Sequence, residues 1–214
     1  MERLIAYIDG FNLYYGLKSK GWKRYYWLNL QRLAENLRKP GQQLVMTKYF
    51  TARINSADPA RQRRQAIFLE ALETLRNFRI YYGHYLSKPV TCFKCKNTWN
   101  SFEEKMTDVN IATELLMDTV DDRLEVALII SGDSDLAPPL RVIRSSYPHK
   151  RLVAAFPPDR VSNHLKNFVH GYFTIGETKL RISQFPDQLR KTDGFVLHRP
   201  SEWMANIKMT GDKP

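Results

Sequence analysis

Cysteine is nearly missing from this 214-residue chain, which has two, Cys92 and Cys95, both in the string CFKC. So small a number excludes a fold built on disulfides and suits a reducing compartment. Long apolar runs are missing too, and no stretch approaches the roughly 18 residues needed to cross a bilayer. The opening segment, MERLIAYID, carries an acid where a secretory leader has its basic region. A soluble, cytoplasmic protein with no membrane partner is expected. Acids are in deficit, 22 Asp and Glu against 33 Lys and Arg, for a formal charge of +11 and a pI near 9.7. That balance suits a polyanionic partner, nucleic acid first, although charge alone does not name it. Repeats of solenoid period and low-complexity tracts are also absent, which excludes array architectures.

What is present is a hydrophobic content of 43%, enough in a chain this long for one large core, or one core with an appendage. The apolar pattern alternates short runs with helical ones. Strands are expected at about 3–8, 44–53, 79–86, 124–131 and 151–156, with a short one at YFTIG. Helices are expected at about 28–38, capped by Asn29, at 58–79, opened by Asp58-Pro59, at 138–146 and at 159–169. A further helix is expected after Thr107 as its cap, with Val109, Ala112, Leu115, Leu116 and Val120 down one side. Residues 87–104 read as an irregular or hairpin insertion. The run LEVALIIS lacks polar alternation, as in a parallel strand covered on both faces. Together these give an α/β fold, a doubly wound and mainly parallel sheet with helices on both faces, over residues 1–176. Residues 177–214 read as a C-terminal extension that wraps the domain or a partner, its last ten or so residues frayed.

In such a sheet, ligands sit beyond the carboxyl ends of the strands, near the point where strand order reverses. Asp9 and Asn12 follow the first strand, Asp133 and Asp135 follow LEVALIIS, and Asp108 stands in the first turn of a helix. Clustered carboxylates repel one another and lose hydration, and a divalent cation removes both penalties. An all-oxygen set suits Mg²⁺ or Mn²⁺ better than zinc. Taken singly, each acid is equally a capping residue.

The strings YIDGFNLYYG, EKMTDVNIATELL and ALIISGDSDLAPPLRVIR resemble, in order, the three motif blocks of the NYN domain family, a branch of the PIN-like nucleases. The resemblance runs over about residues 3–175 and implies an α/β fold with a parallel sheet, an acidic metal site and metal-dependent cleavage of RNA. It makes Asp9, Asp108, Asp133 and Asp135 the catalytic, metal-binding acids, and Asn12 the polar neighbour of Asp9. Lys105 matches a basic residue ahead of the middle acid, where it contacts phosphate, and Ser131 and Ser134 hydrogen-bond the carboxylates or a water. Leu136 stands where many relatives carry an aromatic residue, a change expected to affect packing rather than metal chemistry.

KSKGWKRYYW (18–27) and RQRR (61–64) interleave cations with aromatics, the combination that holds single-stranded RNA. Trp22, Tyr25, Tyr26 and Trp27 serve equally as core residues, and RQRR as a solvated helix face. Cys92 and Cys95 have the spacing of half a structural zinc site, with His84 a possible third ligand and a second chain, in a homo-oligomer, a source of the rest. A reduced, metal-free pair fits as well. Beside the nuclease stand two rival classes. One is a noncatalytic RNA-binding or adaptor module on the same fold. The other is a phosphohydrolase of the haloacid dehalogenase type, disfavoured because Phe11 occupies the position where that chemistry needs a second acid.

Overall fold

The apolar run ahead of Asp9 becomes the strand around which the rest is arranged. In the computed structural model, which describes residues 1–54 and 58–204, strand β1 (Glu2–Asp9) is buried from Leu4 onward. Ile5 and Tyr7 pack into one core layer, and Leu4, Ala6 and Ile8 into another. Both faces are covered, which is why the sequence shows no polar alternation here.

The chain then forms helix α1 (Gly10–Ser19), helix α2 (Leu30–Leu37), strand β2 (Gln42–Ala52), helix α3 (Pro59–Glu73), strand β3 (Phe78–Thr91) and strand β4 (Thr98–Lys105). Helix α4 (Thr107–Val120), strand β5 (Val126–Ile130), helix α5 (Ala137–Ser146), strand β6 (Arg151–Phe156) and strand β7 (Gly171–Thr174) follow. The sheet order is β4-β3-β2-β1-β5-β6-β7. Pairing is parallel from β3 through β7, and β4 alone runs antiparallel, against β3. Strand order reverses between β1 and β5. The α/β sandwich expected from the pattern is therefore the fold observed, with α1, α2 and α3 packed into one core layer and α4 and α5 into the other. Leu136 is buried in the second layer.

Several local expectations are corrected. The segment after Asp9, absent from the helices expected above, is α1; its glycines and weak amphipathicity hide it. Its first residue, Gly10, sits so close to β2 that a Cβ would lie 2.7 Å from the Phe50 carbonyl oxygen. Tertiary fit, rather than propensity, fixes this helix. Thr107 does not cap α4. Met106 occupies the capping position, with φ at 81° and no side-chain cap hydrogen bond, and Thr107 is the first helical residue, buried. The inward face of α4 is Thr107, Ile111, Leu115 and Asp118, while Val109 and Val120 are 65% and 56% exposed. Asp118 lies inward because it accepts hydrogen bonds from Tyr7 at 2.6 Å and pairs with buried Lys48 at 2.6 Å. Such a satisfied polar cluster overrides a purely apolar stripe.

The helix expected at 159–169 does not form. Two prolines precede it, Asp159 takes a φ of 56°, and only Leu165–Asn167 makes a helical turn, of the 3-10 type. Helix α3 begins as expected, with Asp58 capping Ala60 and Pro59 at its first position, but ends at Glu73, short of 79. The 87–104 insertion is a hairpin of β3 with β4, its turn at 92–97.

From Gly176 the chain forms helix α6 (Glu177–Ile182) and a hairpin of strands β8 (Gln188–Arg190) and β9 (Val196–His198). Leu180, Phe185 and Leu197 join the core layer that holds Trp27, whose indole N–H donates to the Pro186 carbonyl at 2.8 Å. The fraying expected of residues 205–214 lies outside the described residues. Among those residues no helix is long and apolar enough to cross a membrane.

Candidate metal centre

The reversal point between β1 and β5 places the ends of both strands side by side; β1 ends in Asp9, and the turn that follows β5 carries Asp133. Asp9 closes β1 and is 3% exposed. Its Oδ1 caps α1 by accepting the Asn12 N–H at 2.9 Å, and its Oδ2 accepts the Ser131 hydroxyl at 2.8 Å. Ser131 in turn accepts the Asp133 N–H at 3.0 Å, and the Asn12 side-chain oxygen accepts the Gly132 N–H at 2.9 Å. These bonds tie the DGFN turn to the SGDSD turn. The capping role that each acid offers singly is observed for two of them: Asp9 caps a helix, and Asp133 caps the short turn Ser134–Leu136 by accepting the Asp135 N–H at 3.0 Å.

Asp108 arrives from the other core layer, in the first turn of α4. A left-handed residue at Met106 turns the chain sharply there. Non-glycine residues rarely adopt that conformation, and it persists where the surrounding structure imposes it. Asp9, Asp108 and Asp133 each offer one oxygen within 4.8 Å of the others. The three carboxylates come from three separate stretches of chain, the hard all-oxygen set that a divalent cation takes. They fit such an ion, and Asp9 is the acid most removed from water.

The acids line a cavity of about 220 Å³ with Asn12, Phe11, Tyr15, Thr107 and Arg160. Arg160 was not legible in the sequence. It comes from the loop after β6, with its guanidinium 5.7 Å from the centre of the Tyr15 ring. Gly132 makes this approach possible, because a Cβ there would fall 1.7 Å from the Arg160 carbonyl oxygen. Of the other sequence candidates, Ser131 and Asn12 are in the network. Asp135 and Ser134 are exposed, and Asp135 reaches the acids only through its backbone N–H. Lys105 closes β4 opposite His84 and is not among the residues lining this cavity.

A second cavity, of about 370 Å³, adjoins the first, with Phe11 and Tyr15 lining both. Its walls include Tyr14, Tyr26, Tyr49, Phe68 and Trp203. Burial, with Tyr14 beside it, pushes the Tyr26 phenol up to about 12, so it stays protonated. Trp27 is a core residue, whereas Tyr25, though buried, and Tyr26 both line this cavity, and Arg61 and Arg64 of RQRR stand at it as well.

Cys92 and Cys95 are free thiols in the β3–β4 turn, the first partly buried and the second exposed. The Cys92 thiol is held below its ordinary value by backbone N–H groups of Cys95 and Lys94. Among the described residues, the acid trio is the one group of three or more Cys, His, Asp or Glu side chains close enough to share a metal. His84 therefore does not complete a site with the cysteines in this chain.

The NYN domain family matches residues 3–180. Among curated proteins, the chain is 31% identical over 181 residues to 6-hydroxy-3-succinoylpyridine 3-monooxygenase HspA of Pseudomonas putida, covering 67% of this chain and 56% of that protein. The chain thus spans little more than half of that relative. Among solved structures, a protein of unknown function from Vibrio parahaemolyticus superposes with a TM-score of 0.53 at 18% identity, over 82% of this chain and 94% of that one. That likeness concerns the fold. With the family matched over most of its length, and its motif acids gathered where β1, β5 and α4 meet, the chain belongs to the NYN domain family.

Proposed function

We propose that this chain is a metal-dependent endoribonuclease that hydrolyses phosphodiester bonds in RNA, single-stranded at the point of cleavage. The observation that carries the reading is the convergence of Asp9, Asp108 and Asp133 within 4.8 Å. These three would hold Mg²⁺ or Mn²⁺, with Asp135 at the edge of the set. Such an ion supplies charge for the phosphate oxygens and an acidified water. The protein's own residues do the positioning. Asn12 and Ser131 fix both oxygens of Asp9, and the Asp133 backbone is fixed through Ser131. Arg160 offers the cavity a cation for the phosphate that the acids would otherwise repel. The net charge of +11 draws RNA to the surface.

Labelled single-stranded and structured RNA, incubated with the protein in Mn²⁺ or in EDTA, tests this directly. Cleavage should require the metal and fall by about a hundredfold or more in Asp9→Asn and Asp133→Asn, with RNA affinity and thermal unfolding little changed, because asparagine keeps the capping oxygen. Cleavage that persists in EDTA or in both variants overturns the proposal. RNA binding without any cleavage would instead favour the noncatalytic module.

A second reading takes its substrate class from the curated relative's name, a small substituted pyridine. The aromatic cavity beside the acids favours it.

A further inference from the structure

The nuclease reading leaves the aromatic cavity without a role. At about 370 Å³ it falls in the range of small-ligand sites, which are largely apolar with a few placed polar groups. Part of its wall comes from beyond the family-matched residues. Trp203 packs edge-on against Tyr26 and Phe68, with ring centres 5.8 and 6.1 Å apart. It is clamped there, since its carbonyl accepts from Arg199 at 2.6 Å and the neighbouring Glu202 pairs with Arg64 at 2.7 Å. The C-terminal segment thus closes the cavity on one side. The lining also carries Lys18, Lys23 and Arg61, with the Lys18 ammonium 5.7 Å from the centre of the Tyr15 ring. Aromatic walls favour a planar ring by stacking, and cations among them favour an anion attached to it. Phe11 and Tyr15 line this cavity and the acid cavity alike, so a ligand in one reaches the other.

The geometry points to this cavity as the seat of one planar aromatic ring whose anionic group lies toward Asp9, Asp108 and Asp133. Placing the anion at the acids rests on the metal-centre reading above; the seat for the ring does not. In RNA, the ring is a nucleobase turned out of its stack and the anion is the adjoining phosphate. A free aromatic carboxylate presents the same chemistry from a second source.

The test is isothermal titration of the full chain in Mn²⁺ with AMP, UMP and nicotinate, none of which contains a phosphodiester. Two variants probe the cavity: Ile54→Trp, which fills it, and Arg61→Ala, an exposed change with little demand on the fold. Thermal unfolding checks both. Saturable binding of a nucleotide, weakened about tenfold or more in both variants, supports the seat and assigns it to RNA. Binding of nicotinate alone, with the same sensitivity, supports the seat, assigns it to a small molecule and counts against the nuclease. Nucleotide binding indifferent to both variants, or no saturation at roughly millimolar ligand, overturns the inference. RNA cleavage measured in parallel would in that case leave the nuclease reading standing.

Discussion

Gly132 serves two neighbours at once. Its N–H donates to Asn12, and its missing side chain admits the Arg160 backbone. Alanine there must push the loop after β6 away, taking Arg160 from the acids. We expect Gly132→Ala to cost about 1–3 kcal/mol in urea denaturation and to lower cleavage beyond what lost stability explains. Gly171→Ala is the control: nothing lies within 4 Å of its Cβ position, so its stability should stay within about 0.5 kcal/mol. Equal effects from the two would contradict this account. At this scale the sequence is uneven in what it discloses. Asp9 and Asp133 are legible because each stands at or just after the end of an apolar run that marks a strand, and Asp108 because it lies in the first turn of a helix. Arg160 leaves no such mark, since only the close packing of two loops brings it to the site.

Among the elements, β6 and β7 are joined by an unusual clasp. The His170 backbone N–H donates to the Leu152 carbonyl at 2.8 Å, while its ring Nδ1 accepts the Leu152 N–H at 3.0 Å. An accepting nitrogen requires the neutral ring. Desolvation first, then the charges of Arg144 and Arg151, holds the imidazole below its ordinary value. The unfolded chain takes up the proton near pH 6.5 while the folded one resists. Stability is therefore complete above that pH and declines as acid is added toward the folded value. Denaturation midpoints between about pH 7.5 and 5 should show this decline, and His170→Gln should flatten it; an identical slope in the variant would exclude His170 as its source. Elements were readable where pattern and packing agree, as in β5 and β6. They misled where spacing mimicked a period: Val161, Leu165 and Val169 are four apart, yet Val161 is exposed and the two prolines before them start a loop. Helix α1 escaped for the opposite reason, because close approach at Gly10 favours a helix that local preference does not.

For the whole molecule, the segment after the family-matched residues bears on stability. Phe185, Leu197 and Trp203 pack into or against the layer that keeps Trp27 fully buried. A chain ending at Leu180 should lose at least about 4 kcal/mol of stability, at about 1.5–3 kcal/mol for each large apolar side chain withdrawn; an unchanged unfolding midpoint would show the segment to be dispensable. Weak periodicity after Glu177 concealed this, because a short helix and a three-residue hairpin bury single anchors rather than a stripe. The β3–β4 hairpin behaves in the opposite way. β3 pairs with β2 only as far as Gly83, and from His84 onward its partner is β4, which returns to Lys105 directly opposite His84. The ribbon leaves and re-enters the body at one place. Residues added or deleted in opposed pairs near its tip leave Met106, Thr107 and Asp108 where they are. The hairpin is a handle whose length is uncoupled from the chemistry, a position at which new binding sequence can be hung without retuning the acids.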